Sequence, residues 1–90
     1  MDRFRWNRWN VEHVGKHGVT PEEAERAVRN ARVPYPSHQP EGKWLVIGRG
    51  AGNRLLQVIY VIDDDGKTAY VIHARPLTEP EKRRHRRRLR

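Results

Sequence analysis

The feature that most constrains the fold is an almost unbroken apolar stretch in the second half of the chain. Residues 54–62 include seven apolar or aromatic side chains, which fall on both faces of any strand that the stretch forms. Such a strand is buried on both sides and belongs in the middle of a sheet. The Asp65-Gly66 pair that follows favours a hairpin turn, after which residues 67–74 can return as the next strand. We therefore predict an antiparallel sheet built around this hairpin.

Two more strands and a loop are predicted before the hairpin. Residues 44–49 are rich in apolar side chains and are separated from the hairpin by the Gly50-Ala51-Gly52-Asn53 turn. Residues 3–5 can add a short N-terminal strand. Pro34 and Pro36 lack an amide hydrogen and restrict the residues before them, so residues 34–42 are predicted to form a loop.

Two helices are predicted in the first third of the chain. Residues 6–13 place bulky side chains at helical spacing, which indicates a first helix. Thr20 precedes Pro21, and Glu23 follows at the position that closes a capping box, so a second helix begins here. Its apolar face comprises Ala24, Ala27, Val28 and Ala31.

The last predicted helix carries most of the positive charge. Thr78 and Glu81 have the spacing of another capping box, which predicts a helix over residues 79–90. The net charge of the chain is +8 at pH 7, and +5 of it lies in these residues. Such a segment attracts nucleic acid or an acidic protein surface, but phosphate contacts do not read a base sequence.

Element order and composition together define the class of protein. Two helices, a small antiparallel sheet and a basic C-terminal helix predict an α+β fold, and 90 residues suit a single domain over 1–90. The chain has no cysteine, and no apolar run approaches the roughly 20 residues of a membrane span. Its first residues lack the apolar centre of a signal peptide. We therefore expect a cytoplasmic protein with no membrane partner.

Several short motifs, taken in order, resemble one protein family. They are Trp6, Asn10, Lys16-His17-Gly18-Val19, Glu22-Glu23-Ala24, Gly48-Arg49, and Val71-Ile72-His73-Ala74-Arg75-Pro76 followed by Thr78 and a basic helix. Their order and spacing are similar to those of the BrnT toxins of bacterial toxin–antitoxin pairs. The resemblance covers nearly the whole chain.

This resemblance implies a RelE-like fold and a metal-independent endoribonuclease activity that blocks translation. It also implies neutralisation by a BrnA-like antitoxin. The protein would then contact DNA only indirectly, through this antitoxin. The family pattern places a tyrosine where this chain has His85, and a serine where it has His73. Both departures keep the position polar.

Four residues are candidates for the catalytic chemistry of such a ribonuclease. Cleavage without a metal needs a base for the 2′-hydroxyl, a cation for the phosphorane and an acid for the 5′-oxygen. Arg49 and Arg75 end strands and suit the phosphorane, because a guanidinium stays charged and binds phosphate as a fork. His85 and His73 suit proton transfer. The alternatives are arginines paired with carboxylates, and histidines that are solvated or hydrogen-bonded.

Five further cations are candidates for holding RNA phosphates. Lys43 and Arg54 flank the first predicted hairpin, where a solvated strand-end charge is the alternative. Arg83, Arg84 and Arg87 belong to the basic helix, whose alternatives are antitoxin binding and simple solvation.

Other conspicuous residues are interpreted as structural. Trp6 and Trp9 could stack on bases, but a domain of this size is expected to use them, together with Trp44, in its core. Residues 63–65 are aspartates in the hairpin turn and are interpreted as solvated. We therefore predict neither a metal site nor a cofactor.

A competing hypothesis is a non-catalytic module of the same fold. It would bind RNA, or form one half of a regulatory complex with the antitoxin. His85 in place of the family tyrosine is the feature that favours it.

Overall fold

The structure is a computed structural model that describes residues 1–88 and shows an α+β fold. The strands are β1 (Arg3–Arg5), β2 (Ser37–Gln39), β3 (Lys43–Arg49), β4 (Leu55–Ile62) and β5 (Thr68–Pro76). The helices are α1 (Arg8–Gly15), α2 (Pro21–Arg29) and α3 (Glu79–Arg88). Two helices, the main strands and a final helix follow one another in the predicted order. Within residues 1–88, no helix is both long and apolar enough to cross a bilayer.

The five strands form one mixed sheet in the order β1-β5-β4-β3-β2. The β4–β5 hairpin lies at its centre, as predicted from the apolar stretch. The pairs β2–β3, β3–β4 and β4–β5 are all antiparallel. β1 instead pairs in parallel with β5, placing Arg3 opposite Thr68. The prediction of a wholly antiparallel sheet was wrong at this edge. A three-residue strand has too few side chains to specify its direction, which depends on where the following helices carry the chain.

The segment predicted as a loop contains the other edge strand. Ser37–Gln39 pairs with β3, beside Pro36 and Pro40. α2 ends at Arg29, before the prolines are reached, so Ala31, predicted on its apolar face, lies beyond the helix. An edge strand tolerates the neighbouring prolines because one side of it needs no hydrogen-bond partner.

One face of the sheet is covered by α1 and α2, and we call it the covered face. Val46, Leu56 and Val58 are fully buried on it. The helices and the turn between them complete the core with Val14, Val19, Ala24, Ala27 and Val28. Gly48 allows α2 to approach closely, because a Cβ atom there would collide with the carbonyl oxygen of Ala27.

The opposite face, which we call the open face, carries half-buried side chains. Leu45, Ile47 and Ile59 alternate with the core residues of β3 and β4 and are only partly covered. The chain crosses to this side after β5, where Leu77 and His85 are buried. α3 is thereby attached to one end of the open face.

The helix caps follow the predictions in part. Asn7 caps α1, so this helix begins at Arg8 rather than at Trp6. Thr20 Oγ1 accepts a hydrogen bond from the Glu23 amide, but the predicted return bond is wrong, because the Glu23 carboxylate pairs with Arg54.

The capping box of α3 is confirmed. The Thr78 amide donates to Glu81 Oε1 at 2.8 Å, and the Glu81 amide donates to Thr78 Oγ1 at 3.4 Å. The predicted helix over residues 79–90 extends to Leu89 and Arg90, which lie outside the described residues. The burial of His85 shows that its side of α3 faces the protein.

Candidate nucleic-acid interface

A cationic cleft opens where the ends of α2 and β3 meet α3. Its volume is about 670 Å³, and it is lined by Arg29, Asn30, Ala31, Arg32, Ile47, Gly48, Arg49, Asn53, Leu55 and His85. None of these lining residues is acidic. Arg29 pairs with Glu25 and lies over the ring of Phe4. The positive charge of the cleft therefore comes mainly from Arg32 and Arg49. The lining favours an anion.

Arg49 is held at the rim of this cleft by the turn that follows β3. Its Nη1 donates to the carbonyl oxygen of Asn53 at 2.8 Å, and its own carbonyl accepts from Asn30 Nδ2 at 3.0 Å. The first bond uses one of the five N–H groups of the guanidinium. Because the side chain is exposed, the rest of the fork is accessible to a ligand.

His85 enters the same cleft from α3. The residue is only 8 % exposed, and its ring lies 6.2 Å from the ring of Tyr35, which is also buried. The alternative of a solvated histidine on a polar helix is therefore wrong. An imidazole at the wall of a cationic cleft can exchange a proton with a bound group.

Arg75 is paired with a carboxylate, which was the alternative to a catalytic role. Its two terminal nitrogens donate to the two carboxylate oxygens of Glu81 at 2.7 Å each, and Nη2 also donates to Gln57 Oε1 at 3.2 Å. The hydrogen bonds from Arg75, assisted by the Thr78 amide, lower the pKa of Glu81 to about 2. This pair fastens the first turn of α3 to β5, four residues before His85.

A smaller depression of about 190 Å³ adjoins the cleft. It is lined by Leu45, Ile47, Gln57, Leu77, Glu81, Arg84 and His85. Both partners of Arg75 belong to this lining, and His85 and Ile47 are shared with the larger cleft. Arg75 therefore lies beside the site and supports its wall.

Arg54 and Lys43, predicted to bind RNA, do not line the cleft. Arg54 Nη2 donates to Glu23 Oε1 and to the carbonyl oxygen of Gly18, both at 2.7 Å. These bonds tie β4 to the start of α2, and the hydrogen bond to Glu23 raises the pKa of Arg54. Lys43 begins β3 and Arg49 ends it, so about 20 Å of strand separates them.

The cations of α3 extend the positive surface outside the cleft. Arg84 lines the smaller depression, and Arg83 and Arg87 are exposed four residues apart on one side of the helix. This spacing places both charges on the same stripe, where they attract a polyanion together.

His73 lies in a separate cluster at the edge of β5. Its ring centroid is 5.4 Å from that of His17 and 6.3 Å from that of His13. Burial is the main cause of its lowered pKa, and the nearby charges of His17, Arg75 and His13 add to it. No group of three metal-binding side chains in the described part of the chain is arranged to hold an ion.

Two of the three aspartates of the β4–β5 turn accept hydrogen bonds, so the interpretation of residues 63–65 as solvated was wrong for these two. Asp63 accepts two hydrogen bonds from Arg5, at 2.8 and 2.9 Å. Asp65 accepts from the Thr68 hydroxyl at 2.6 Å and from the amides of Lys67 and Thr68. These bonds lower the pKa of both carboxyl groups.

Sequence reasoning missed several residues of this surface. Asn30 and Arg32 follow the end of α2, where no periodic pattern marks them, and only the fold brings them to the cleft. Trp6 and Trp44 pack against the core as expected. The same prediction was wrong for Trp9, which is 53 % exposed.

Comparisons with known proteins add no relative to this description. No family model matches the chain, and no curated protein or solved structure matches it either. The resemblance to BrnT toxins therefore stays a prediction from the motifs.

Proposed function

We propose that the protein is an RNA-cleaving toxin of the BrnT type, a metal-independent endoribonuclease that inhibits translation. One observation carries the proposal. Arg49 and His85 were selected from motifs 36 residues apart, and they line the same cationic cleft. The proposal includes a RelE-like fold, a cytoplasmic site of action and a BrnA-like antitoxin as partner.

The cleft fits the needs of phosphodiester cleavage. Arg49 and Arg32 offer guanidinium groups to the non-bridging oxygens, whose negative charge grows as the 2′-oxygen attacks phosphorus. His85 accepts the 2′-hydroxyl proton, and a water molecule protonates the 5′-oxygen as the P–O5′ bond breaks. The hydroxide formed from that water then takes the proton back from His85, which restores the cleft. The products are a 2′,3′-cyclic phosphate and a 5′-hydroxyl.

Arg75 and the cations of α3 act around this centre, whereas Lys43, Arg54 and His73 lie outside it. Arg75 holds Glu81 and thereby positions α3 and His85, so it is a positioning residue. Arg83, Arg84 and Arg87 attract the RNA backbone. Their contribution weakens steeply with salt, because each phosphate contact releases counterions.

A non-catalytic RNA-binding module is the second candidate. The observation that favours it is that the lining of the cleft contains one imidazole and no carboxylate, so a side chain of the cleft is present for only one of the two proton transfers. Such a module would bind RNA in the same cleft and form a regulatory complex with its antitoxin.

The decisive experiment is cleavage of labelled single-stranded RNA in EDTA. We expect the wild type to cut, and Arg49→Ala and His85→Gln to be slower by about 100-fold or more. Arg8→Ala removes an equal charge from an exposed residue of α1 and should cut at the wild-type rate. Circular dichroism of each variant separates lost chemistry from lost folding.

The contrary outcome is equally clear. If the wild type binds RNA but leaves both free RNA and ribosome-bound messenger RNA intact, the binding module replaces the ribonuclease. Normal cleavage by Arg49→Ala would remove that arginine from the mechanism.

A further inference from the structure

Trp9 is exposed although a small domain ordinarily buries its tryptophans. Trp6 and Trp44 pack against the core, whereas Trp9 leaves 53 % of its surface in contact with water. Its indole is stacked on the imidazole of His13, with centroids 4.7 Å apart and planes 10° from parallel. The ring is therefore both accessible and fixed in orientation.

Trp9 belongs to a continuous series of planar groups along α1 and the edge of β5. In one direction the ring of Tyr70 follows at 6.4 Å and 18°, and the guanidinium of Arg5 lies 4.0 Å from the Tyr70 centroid. In the other direction His13 leads to His73 at 6.3 Å, and His73 leads to His17 at 5.4 Å. We call these six residues the planar strip.

The strip is held in place by bonds at several points. The Tyr70 hydroxyl donates to Asn7 Oδ1 at 3.1 Å, and Arg5 is fixed by its two bonds to Asp63. Asn10 Nδ2 donates to the carbonyl oxygen of Val71 at 3.0 Å, which anchors α1 where β1 stops pairing with β5. The planar groups are therefore presented on rigid elements, and little ordering is needed when they meet a ligand.

We infer that the planar strip binds the unpaired bases of single-stranded RNA by stacking. Every base has a π face, and aromatic rings and arginine guanidinium planes are the groups on which proteins stack unpaired bases. The chain as a whole carries a net charge of +8, which favours a polyanion such as RNA over an apolar protein segment as its ligand.

The inference rests on the proposed function and extends its site. His73 lies two residues before Arg75 on β5, and the partners of Arg75 line the depression that reaches His85. An RNA whose phosphate occupies the cleft can thus continue across β5 to the strip. A longer RNA gains contacts there that a dinucleotide cannot reach.

The test measures binding separately from cleavage. The probe is a fluorescent 2′-O-methyl uridine 12-mer, which lacks the attacking hydroxyl, and binding is followed by anisotropy. We expect Trp9→Ala to weaken binding by about tenfold, which corresponds to about 1.4 kcal/mol of lost stacking. Trp9→Phe should restore most of the affinity. Val11→Ala removes another exposed apolar side chain of α1 and should bind as the wild type does.

Two further measurements identify the bases as the ligand. A 12-base-pair RNA duplex keeps its phosphates but hides its bases, so Trp9→Ala should leave its binding unchanged. Tryptophan fluorescence of the wild type should be quenched by the single-stranded probe, and Trp9→Phe should lose that quenching although Trp6 and Trp44 remain.

The outcomes separate this inference from the proposed function. If Trp9→Ala binds the single-stranded probe within twofold of the wild type, the inference is overturned and a protein partner becomes the better occupant of the strip. Equal loss of single-stranded and duplex binding also overturns stacking. If the wild type cuts no RNA but Trp9→Ala still weakens single-strand binding alone, the ribonuclease proposal fails and the strip stands.

Discussion

The two faces of the sheet use their residues in opposite ways. The covered face is built from side chains that range from alanine to Tyr60 and are almost wholly buried under α1 and α2. The open face combines half-buried apolar residues with Gln57, His73 and Arg75, and α3 is attached at one end of it. Stability is thus concentrated on one side of the molecule, and accessible polar chemistry is concentrated on the other side and at the strand ends.

This difference explains why the cations of the chain have two kinds of environment. Arg54 and Arg75 are fixed by carboxylates and hold elements together. Arg49 is exposed, and its hydrogen bond to a backbone carbonyl does not neutralise the charge of the guanidinium. A phosphate can bind a cation such as Arg49 without first displacing a carboxylate.

The largest effect should come from deleting a side chain of the covered face. Leu56→Ala removes a fully buried side chain and should lower the free energy of unfolding by about 2–5 kcal/mol. Leu45→Ala removes the same atoms from the open face, where water already reaches them, and should lose less than half as much. Urea denaturation measures both losses. Equal losses would mean that the two faces are equally covered.

A smaller effect should come from filling the close contact between β3 and α2. Gly48→Ala places a methyl group against the Ala27 carbonyl and should destabilise the protein by about 1–3 kcal/mol. Gly15→Ala is the matched control, because a Cβ atom at Gly15 meets nothing within 4 Å. Thermal unfolding of both variants checks this contact, and an unchanged midpoint for Gly48→Ala would contradict it.

The smallest effect concerns the attachment of α3 to the sheet. Glu81→Gln should lower the free energy of unfolding at pH 7 by about 1 kcal/mol, because it weakens the pair with Arg75. The control Glu79→Gln alters an exposed pair with Lys82 and should change stability by less than about 0.5 kcal/mol.

The pH dependence sharpens this prediction. The pKa of Glu81 is lowered from its ordinary 4.5 to about 2 in the folded protein. A lowered folded-state pKa contributes stability above the unfolded value, and that contribution is lost as the pH falls from about 4.5 to about 2. Wild type and Glu81→Gln should therefore converge in stability as the pH approaches 2. A constant difference across this range would count against the pair.

The sequence predicted the features that depend on neighbouring residues. The apolar stretch and the Asp65-Gly66 turn placed the hairpin, and Thr78 with Glu81 placed the start of α3. The direction of β1, the pairing of Glu23 with Arg54 and the exposure of Trp9 depend on contacts between distant segments, which no local pattern records.

The same limit applies to the cleft. Residue chemistry pointed to Arg49, Arg75, His73 and His85, because few residue types can stabilise a phosphorane or move a proton. Only Arg49 and His85 line the cleft, and no local pattern separated them from the other two. Asn30 and Arg32 carry no such signal, since they reach the cleft only through the packing of α2 against Gly48.

The parallel pairing of β1 with β5 has a consequence for how the chain folds. Arg3 pairs with Thr68, so β1 can join the sheet only after the β4–β5 hairpin has formed. Closing the long loop between these two residues is slow because of its entropic cost. Until then the edge of β5 presents unpaired N–H and C=O groups, which another chain can use to add a strand. We therefore expect β1 to join the sheet last. Deletion of residues 1–5 should leave the edge of β5 unpaired and make the protein prone to aggregation.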